Sequence, residues 1–287
     1  MEEEIARPFR EAGFAVTCSA QLLKEHREFE RFSTATANAC LVPIVSAYLE
    51  RLAEKIGDRA LSVMQSSGGA FPASQAAKEP VRTLFSGPAG GVVGAARAAA
   101  ESGHEEVVTL DMGGTSTDVA FHSSKAGLEE AVNDTEVAGQ PIGTPALDLH
   151  TIGCGGGSIV KIDAGGVLRV GPESAGAQPG PVCYGSGEEL TVTDAHVMLG
   201  HLRPGAFLGG QLPLDTAAVK SGFQALGKEL GVSPRLAAEG VLAVARATMR
   251  RAIGVMTMQR GRDQRQLPLV AFGGAGGLHA AALADSL

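Results

Sequence analysis

The sequence predicts an α/β fold, and three observations carry that prediction. Val107–His122 reads V-V-T-L-D-M-G-G-T-S-T-D-V-A-F-H, a strand, a glycine turn and a second strand. Leu267–Phe272 is an apolar strand run that enters Gly273-Gly274-Ala275-Gly276-Gly277 and then a helical pattern to Leu287. Long helical patterns over 215–230 and 234–259 separate the two. The 39 glycines cluster in turns and follow no G-X-Y period, so the chain reads as loop-rich α/β and not as a fibre.

Bulk properties narrow the function classes. A chain of 287 residues with 44% hydrophobic and 19% charged residues can bury one large core or two small ones. A net charge of −7 argues against a surface for nucleic acid or anionic membrane. No uninterrupted apolar run approaches the roughly 18 residues of a membrane span. The start, Met1-Glu2-Glu3-Glu4, is acidic and unlike a signal peptide, so a soluble cytoplasmic protein is expected. Cys18, Cys40, Cys154 and Cys183 show no C-x-x-C pairing, which fits reduced thiols. Asn133-Asp134-Thr135 matches a glycosylation acceptor only by chance if no secretory signal is present.

In chain order, Met1–Arg10 reads as the end of a helix and Gly13–Ser19 as a short strand, half a unit that implies a segment upstream. From Ser33, an N-cap by residue type, Ala37, Leu41, Ile44, Tyr48 and Leu52 recur at helical spacing to a stop at Gly57, with a kink or break expected at Pro43. Leu61–Gln65 is a strand entering the small polar turn Ser66-Ser67-Gly68-Gly69. Pro88 opens a helix to Glu101 whose small residues (Ala89, Gly90, Gly91, Gly94, Ala95, Ala98) suggest burial between layers, and Gly103 ends it. After the central hairpin, Asp148–Gly157 is a strand running into glycines. Ser158–Val170 is a hairpin around Asp163-Ala164-Gly165-Gly166. Gly171–Gly187 is a long Gly/Pro loop, read as ordered because it is tied to that hairpin. Helices follow at Asp194–His201, at Asp215–Leu230, at Pro234–Gln259 with Ser233 as N-cap, and at Leu278–Leu287.

The central turn carries the clearest chemistry. Gly113 and Gly114 let backbone approach a ligand, and successive N–H groups with the hydroxyls of Thr115, Ser116 and Thr117 suit an anion. Asp111, at the end of the incoming strand, could hold hydrated Mg²⁺ against that anion, with Asp118 as its acidic neighbour. An ordinary hairpin would explain D-x-G-G alone; the full D-x-G-G-T-x-T-D run favours phosphate binding. Gly273–Gly277 suits a nucleotide lying across a helix N-terminus, and a plain tight strand-to-helix connection fits it equally well. Asp148 and His150, two apart on a strand, could ligate a divalent metal with Cys183 as a distant third ligand; a hydrogen-bonded structural histidine is the competing reading. His196 and His201 read as helix-end residues. G-F-Q-A-L-G-K-E (Gly222–Glu229) is one residue short of a P-loop and lies inside a helical pattern, and no G-x-G-x-x-G or G-x-S-x-G is present.

Several colinear runs then resemble the hydantoinase A / 5-oxoprolinase family, which includes N-methylhydantoinases and acetone-carboxylase β-type subunits. They are Arg27–Ala39 (R-E-F-E-R-F-S-T-A-T-A-N-A), Val63–Gly69, Ser86–Ala95 (S-G-P-A-G-G-V-V-G-A), Asp111–Val119, His150–Ile159, Gly171–Gly185, Thr191–Ala195 (T-V-T-D-A) and Ala271–Ala280. The resemblance implies an actin-like ATPase, ribonuclease-H-like half with a mixed sheet and flanking helices, plus an N-terminal helical and linker segment. It divides the chain into 1–104, a remnant of the first half with connecting helices, and 105–287, the second nucleotide-binding half. It makes Asp111, Gly113, Gly114 and Thr115 the second phosphate loop and Gly273, Gly274 and Gly276 the adenosine loop; Thr117 joins the cofactor-binding residues, and Asp111 and Asp118 are the candidate catalytic pair. ATP and Mg²⁺ are the implied cofactors; a second divalent metal at Asp148 and His150 is an expectation from their spacing alone. The implied activity is opening of a small cyclic amide, of hydantoin or 5-oxoproline type, by phosphoryl activation of its carbonyl. The implied partners are a hydantoinase-B-like subunit or domain and an N-terminal half bearing its own G-G-T-F-T-D loop, which this sequence lacks. An ATP-dependent carboxylase β-type subunit and a truncated nucleotide-binding module are the alternatives. Cys154 and Gly277 depart from the family pattern, where Ala and Pro are expected.

Overall fold

The computed structural model describes residues 1–124, 131–132 and 135–287; Asn133 and Asp134 of the glycosylation-like triplet therefore lie outside the described residues. The elements in chain order are α1 (Glu2–Glu11), α2 (Ser19–Leu22), α3 (Glu28–Ile56), β1 (Ser62–Met64), β2 (Ala70–Pro72), α4 (Ala73–Ala76) and α5 (Ser86–Glu101). Next come β3 (Glu106–Met112), β4 (Thr117–Ser123), β5 (Ala131–Val132), β6 (Thr135–Val137), β7 (Gln140–Ile142), β8 (Ala146–Leu147), β9 (His150–Ile152), β10 (Ser158–Ile162) and β11 (Leu168–Ser174). The chain ends with α6 (Val192–Met198), α7 (Thr216–Leu230), α8 (Pro234–Met258), β12 (Leu269–Phe272) and α9 (Gly273–Ala284). Two compact units emerge, Met1–Arg97 with Ser124–Asp148, and Ala98–Ser123 with Leu149–Leu287. The stretch from Ser124 to Asp148, placed by sequence reading in the second half, thus belongs to the first unit.

The first unit is built on α3. Its small apolar cores group Leu22, Leu23, Ala35, Val81 and Ile142 in one place and Leu49, Phe71 and Ala76 in another. Two buried polar side chains from the Arg27–Ala39 run hold it together. Asn38 donates to Thr17 Oγ1 (3.1 Å) and the Lys78 carbonyl (2.9 Å) and accepts from Val81 N–H (3.2 Å). Thr34 Oγ1 accepts from Gly143 N–H at 2.9 Å. Among the described residues α3 is the one helix long and apolar enough, by length and composition, to cross a membrane. Three of its polar side chains, Thr34, Asn38 and Ser46, are bonded within the unit, Ser46 reaching the Ala77 carbonyl at 3.1 Å.

Several expectations for this unit change. The helix begins at Glu28 with Arg27 at the N-cap position, so Ser33 is an interior residue. It runs through Pro43 unbroken and stops at Gly57, whose φ of 65° suits glycine. The expected strand over 13–19 is not formed: Gly13 is a turn residue, Phe14–Cys18 pairs with no strand among the described residues, and Ser19 opens α2. Helix α5 has one buried stripe, Ala89, Val92, Ala95 and Ala99, while Gly94 and Ala98 are exposed, so it is not enclosed on all sides.

The second unit holds a four-stranded mixed sheet in the order β12-β3-β4-β9. β12 runs parallel to β3, and β3–β4 and β4–β9 are antiparallel. Val108, Leu110, Met112, Val119 and Phe121 feed one core with α6, α7 and α8, and Val107, Thr109 and Ala120 are buried on the opposite strand face. α8 is capped by Ser233, whose Oγ accepts from Leu236 N–H, and α7 by Asp215, as their sequences predict. The P-loop-like octapeptide is interior to α7. Helix α9 starts at Gly273, five residues earlier than expected, so the glycine run is its first turn and not a loop.

Candidate functional site

The site grows from the β3–β4 hairpin. Leu110↔Val119 and Asp111↔Asp118 face each other in register, so the two carboxyl groups share one sheet face. Asp118 accepts a hydrogen bond from the Thr151 hydroxyl on β9. Burial, and after it the facing Asp118, hold the Asp111 carboxyl above the usual carboxylate range. A cation bound there would reverse both effects.

The turn between the strands is shaped by backbone. Gly113 N–H donates to Ser116 C=O at 3.0 Å, so that amide serves the turn itself. The carbonyls of Gly113 and Gly114 accept from Gly156 N–H (3.0 Å) and Gly157 N–H (2.6 Å). A Cβ on Gly155 would lie 2.6 Å from the Gly114 carbonyl, so glycine is needed for this approach. Gly114 and Thr115 are exposed, and among the described residues their N–H groups have no partner. They are the donors an anion would meet. Thr117 is fully buried, and its hydroxyl donates to the Cys154 carbonyl, which fixes the glycine run.

The second glycine cluster meets the first here. Phe272↔Asp111 closes the parallel β12–β3 ladder, and the chain turns into α9 at Gly273 with φ +81°. A Cβ on Gly273 would collide with Asp111 Oδ1 and lie 2.6 Å from the Met112 carbonyl. Gly276 is buried one turn on, where a Cβ would sit 3.3 Å from the Leu110 carbonyl. Gly274 is exposed with open space beside it. A Cβ on Gly156 would lie 3.7 Å from Ala275 Cβ and 3.8 Å from the Gly113 carbonyl. Hairpin turn, glycine run and helix start thus form one cradle. Exposed N–H groups, a 12-residue helix N-terminus and a half-buried carboxylate can hold a phosphate chain together with a hydrated divalent cation.

Around the cradle stand residues whose motifs were legible and whose roles were not. Asp194 of the T-V-T-D-A run is wholly buried and accepts from the N–H groups of Val182 (3.2 Å), Cys183 (2.8 Å) and Thr191 (2.8 Å), closing a capping box on α6. It pins the Gly171–Gly187 loop, which is ordered; Ala175 N–H donates to the Gly157 carbonyl at 2.9 Å. Thr193 N–H and Oγ1 both donate to the Gly156 carbonyl at 2.8 Å.

The metal expectation fares differently. Asp148 belongs to the first unit and His150 to the second, where it pairs with Val119. Cys183, the distant third ligand, is core; burial and then Asp194 push its thiol up, away from the thiolate a metal needs. Among the described residues no group of three or more His, Cys, Asp or Glu side chains could hold a metal ion. Cys154 is likewise core, its thiol raised to about 11 by burial, and it fills the place of the expected Ala without touching the cradle's donors.

Comparison with known proteins adds a family match and three similar proteins. A family model described as hydantoinase/oxoprolinase matches residues 31–287. 5-Oxoprolinase 1 of Arabidopsis thaliana is 38% identical over 309 residues, which cover 100% of this chain and 24% of that protein. Among solved structures, the ATP-dependent caprolactamase of Pseudomonas jessenii superposes with a TM-score of 0.84 at 37% identity over 99% of this chain and 42% of that one. Acetone carboxylase, solved nucleotide-free in a study of ATP-dependent acetone carboxylation, gives a TM-score of 0.77 at 29% identity over 93% of this chain and 38% of its own. The chain therefore spans about two fifths or less of each of these proteins.

Proposed function

The chain belongs to the hydantoinase/oxoprolinase family, and from that premise we propose that it is the nucleotide-binding part of an ATP-dependent enzyme opening a cyclic amide. The observation that carries the reading is the cradle in which Asp111 packs against Gly273 while Gly114 and Thr115 are exposed and their N–H groups have no partner among the described residues. On this reading the fold is one half of an actin-like ATPase, and the enzyme works in the cytoplasm. Bound Mg-ATP would supply the phosphoryl group that activates an amide carbonyl oxygen.

Each residue then has a task. Gly114 and Thr115 donate backbone hydrogen bonds to phosphate oxygens, in positions fixed before the ligand arrives. The first turn of α9 offers Gly273 and Gly274 N–H groups to the same anion, and Gly276 lets that turn lie close on β3. Asp111 holds the metal's water shell, and Asp118, anchored by Thr151, keeps the local charge negative. The cyclic amide and a hydantoinase-B-like partner are assigned to parts of the relatives that this chain does not span. Asp148 with His150 stays a proposed second metal pair, and elemental analysis showing no stoichiometric metal would remove it.

A second reading, a subunit of an ATP-dependent carboxylase, is favoured by the likeness to acetone carboxylase. Both readings use the same cradle. The test is Mg-ATP binding by calorimetry with the wild type and Asp111→Asn. Removing a charged partner is expected to weaken binding by about tenfold or more. Equal affinity would reassign Asp111 to the hairpin's structure. Product analysis with a lactam, or with a ketone and bicarbonate, then separates hydrolase from carboxylase in the assembled enzyme.

A further inference from the structure

Three histidines of the second unit, His196 and His201 near each other in sequence and His279 far from both, form a continuous chain. His279 on α9 is wholly buried, and its Nε2 lies 3.1 Å from Nε2 of His196 on α6, itself 1% exposed. His196 Nδ1 lies 2.9 Å from Nδ1 of His201, which follows α6 and is exposed. The inner end of the chain, His279 Nδ1, is buried with no hydrogen-bond partner. Arg246 on α8 is the cation that acts on both buried rings, and its own Nε is also buried without a partner.

The chain does not converge on a point, so it is no metal centre: His196 uses one ring nitrogen for each neighbour. Its place in the fold is informative. Thr193, one turn before His196, bonds Gly156, and Gly156 approaches Ala275 in the first turn of α9. His279 follows Gly276 by three residues on the same buried helix face. The two helices are therefore linked through Gly156 at the cradle and, one turn deeper, directly through the imidazole pair.

We propose that His279 and His196 are positioning residues for the nucleotide-facing turn of α9. This rests on the nucleotide reading of the cradle. Each contact in the chain holds one hydrogen, so neutral rings allow two registers. In the first, His279 Nε2–H donates to His196 Nε2, His196 Nδ1–H donates to His201 Nδ1, and His201 carries its hydrogen on Nε2. In the second, both bonds are reversed and His279 carries its hydrogen on Nδ1. In either register the buried imidazole pair ties α9 to α6 one turn below the cradle.

The test uses the full chain labelled with ¹⁵N, in which the amide shifts of Gly273–Gly276 report binding of Mg-ATP. His279→Leu should bind about tenfold more weakly, and His279→Gln, which restores a polar atom at Nε2, should recover most of that. His279→Leu binding as wild type, or His279→Gln binding as weakly as His279→Leu, would overturn the inference alone. No shift of the Gly273–Gly276 amides with Mg-ATP in the wild type would overturn the nucleotide reading as well.

Discussion

Gly273 shows how tightly a single position can be specified. Its φ of +81° and the crowding by Asp111 Oδ1 and the Met112 carbonyl exclude any side chain. Gly273→Ala should lose on the order of 1–3 kcal/mol from backbone strain alone, measured by urea unfolding. Part of the loss should persist in an Asp111→Ala background, because the Met112 carbonyl remains. Stability matching wild type would mean that the corner opens without cost. The buried histidines make a second prediction at this scale. Burial first, with neighbouring cationic or imidazole charge after it, lowers His196 to about 3 and His279 to about 4. The unfolded chain, with histidines near 6.5, binds protons that the folded one refuses, so stability falls as pH drops from about 6.5 toward 4. His196→Gln should flatten that slope in melts at constant ionic strength. At this scale the sequence was only partly legible. D-x-G-G-T-x-T-D announced Asp111 and the turn, because glycine and acid spacing is local. The buried tasks of Thr117 and Asp194 depend on carbonyls and amides brought from elsewhere, and His196 with His279, 83 residues apart, carried no shared pattern.

At the scale of elements, strands and capped helices followed their local chemistry. β3, β4, β12, α7 and α8 lie where periodicity and caps put them, while Phe14–Cys18 had strand composition and no neighbour to pair with. Helix α9 was misjudged because five residues with four glycines read as a loop; packing of Gly276, His279 and Leu283 overrides that poor propensity. α6 depends most on one side chain. Asp194→Ala would leave Val182, Cys183 and Thr191 N–H groups without their acceptor, each buried orphan costing roughly 1–3 kcal/mol. We expect a loss of a few kcal/mol and new proteolytic cleavage within 171–187, whereas Asp194→Asn should lose less. An unchanged cleavage pattern in Asp194→Ala would show that the loop holds itself.

For the whole molecule, α/β class and mixed sheet were legible, and the division at 104/105 was approximate because Ser124–Asp148 returns to the first unit. The relatives are at least twice as long as this chain, so their activity is proposed here only for an assembly. A ligand at a hundredfold excess over Kd stabilises by about 2.7 kcal/mol, roughly 5–10 °C for a chain of this size. Millimolar Mg-ATP should raise the melting temperature of the lone chain by less than that, with negligible turnover. Steady-state ATP or lactam hydrolysis by this chain alone would show that it needs nothing further. The paired glycine segments, finally, bear on how binding would look in a calorimeter. The carbonyls of Gly113 and Gly114 are held from behind by the N–H groups of Gly156 and Gly157, so much of the turn's conformational freedom has already gone when the chain folds. A phosphate docking there would order almost nothing, and the entropy of association should carry only a small contribution from immobilised backbone.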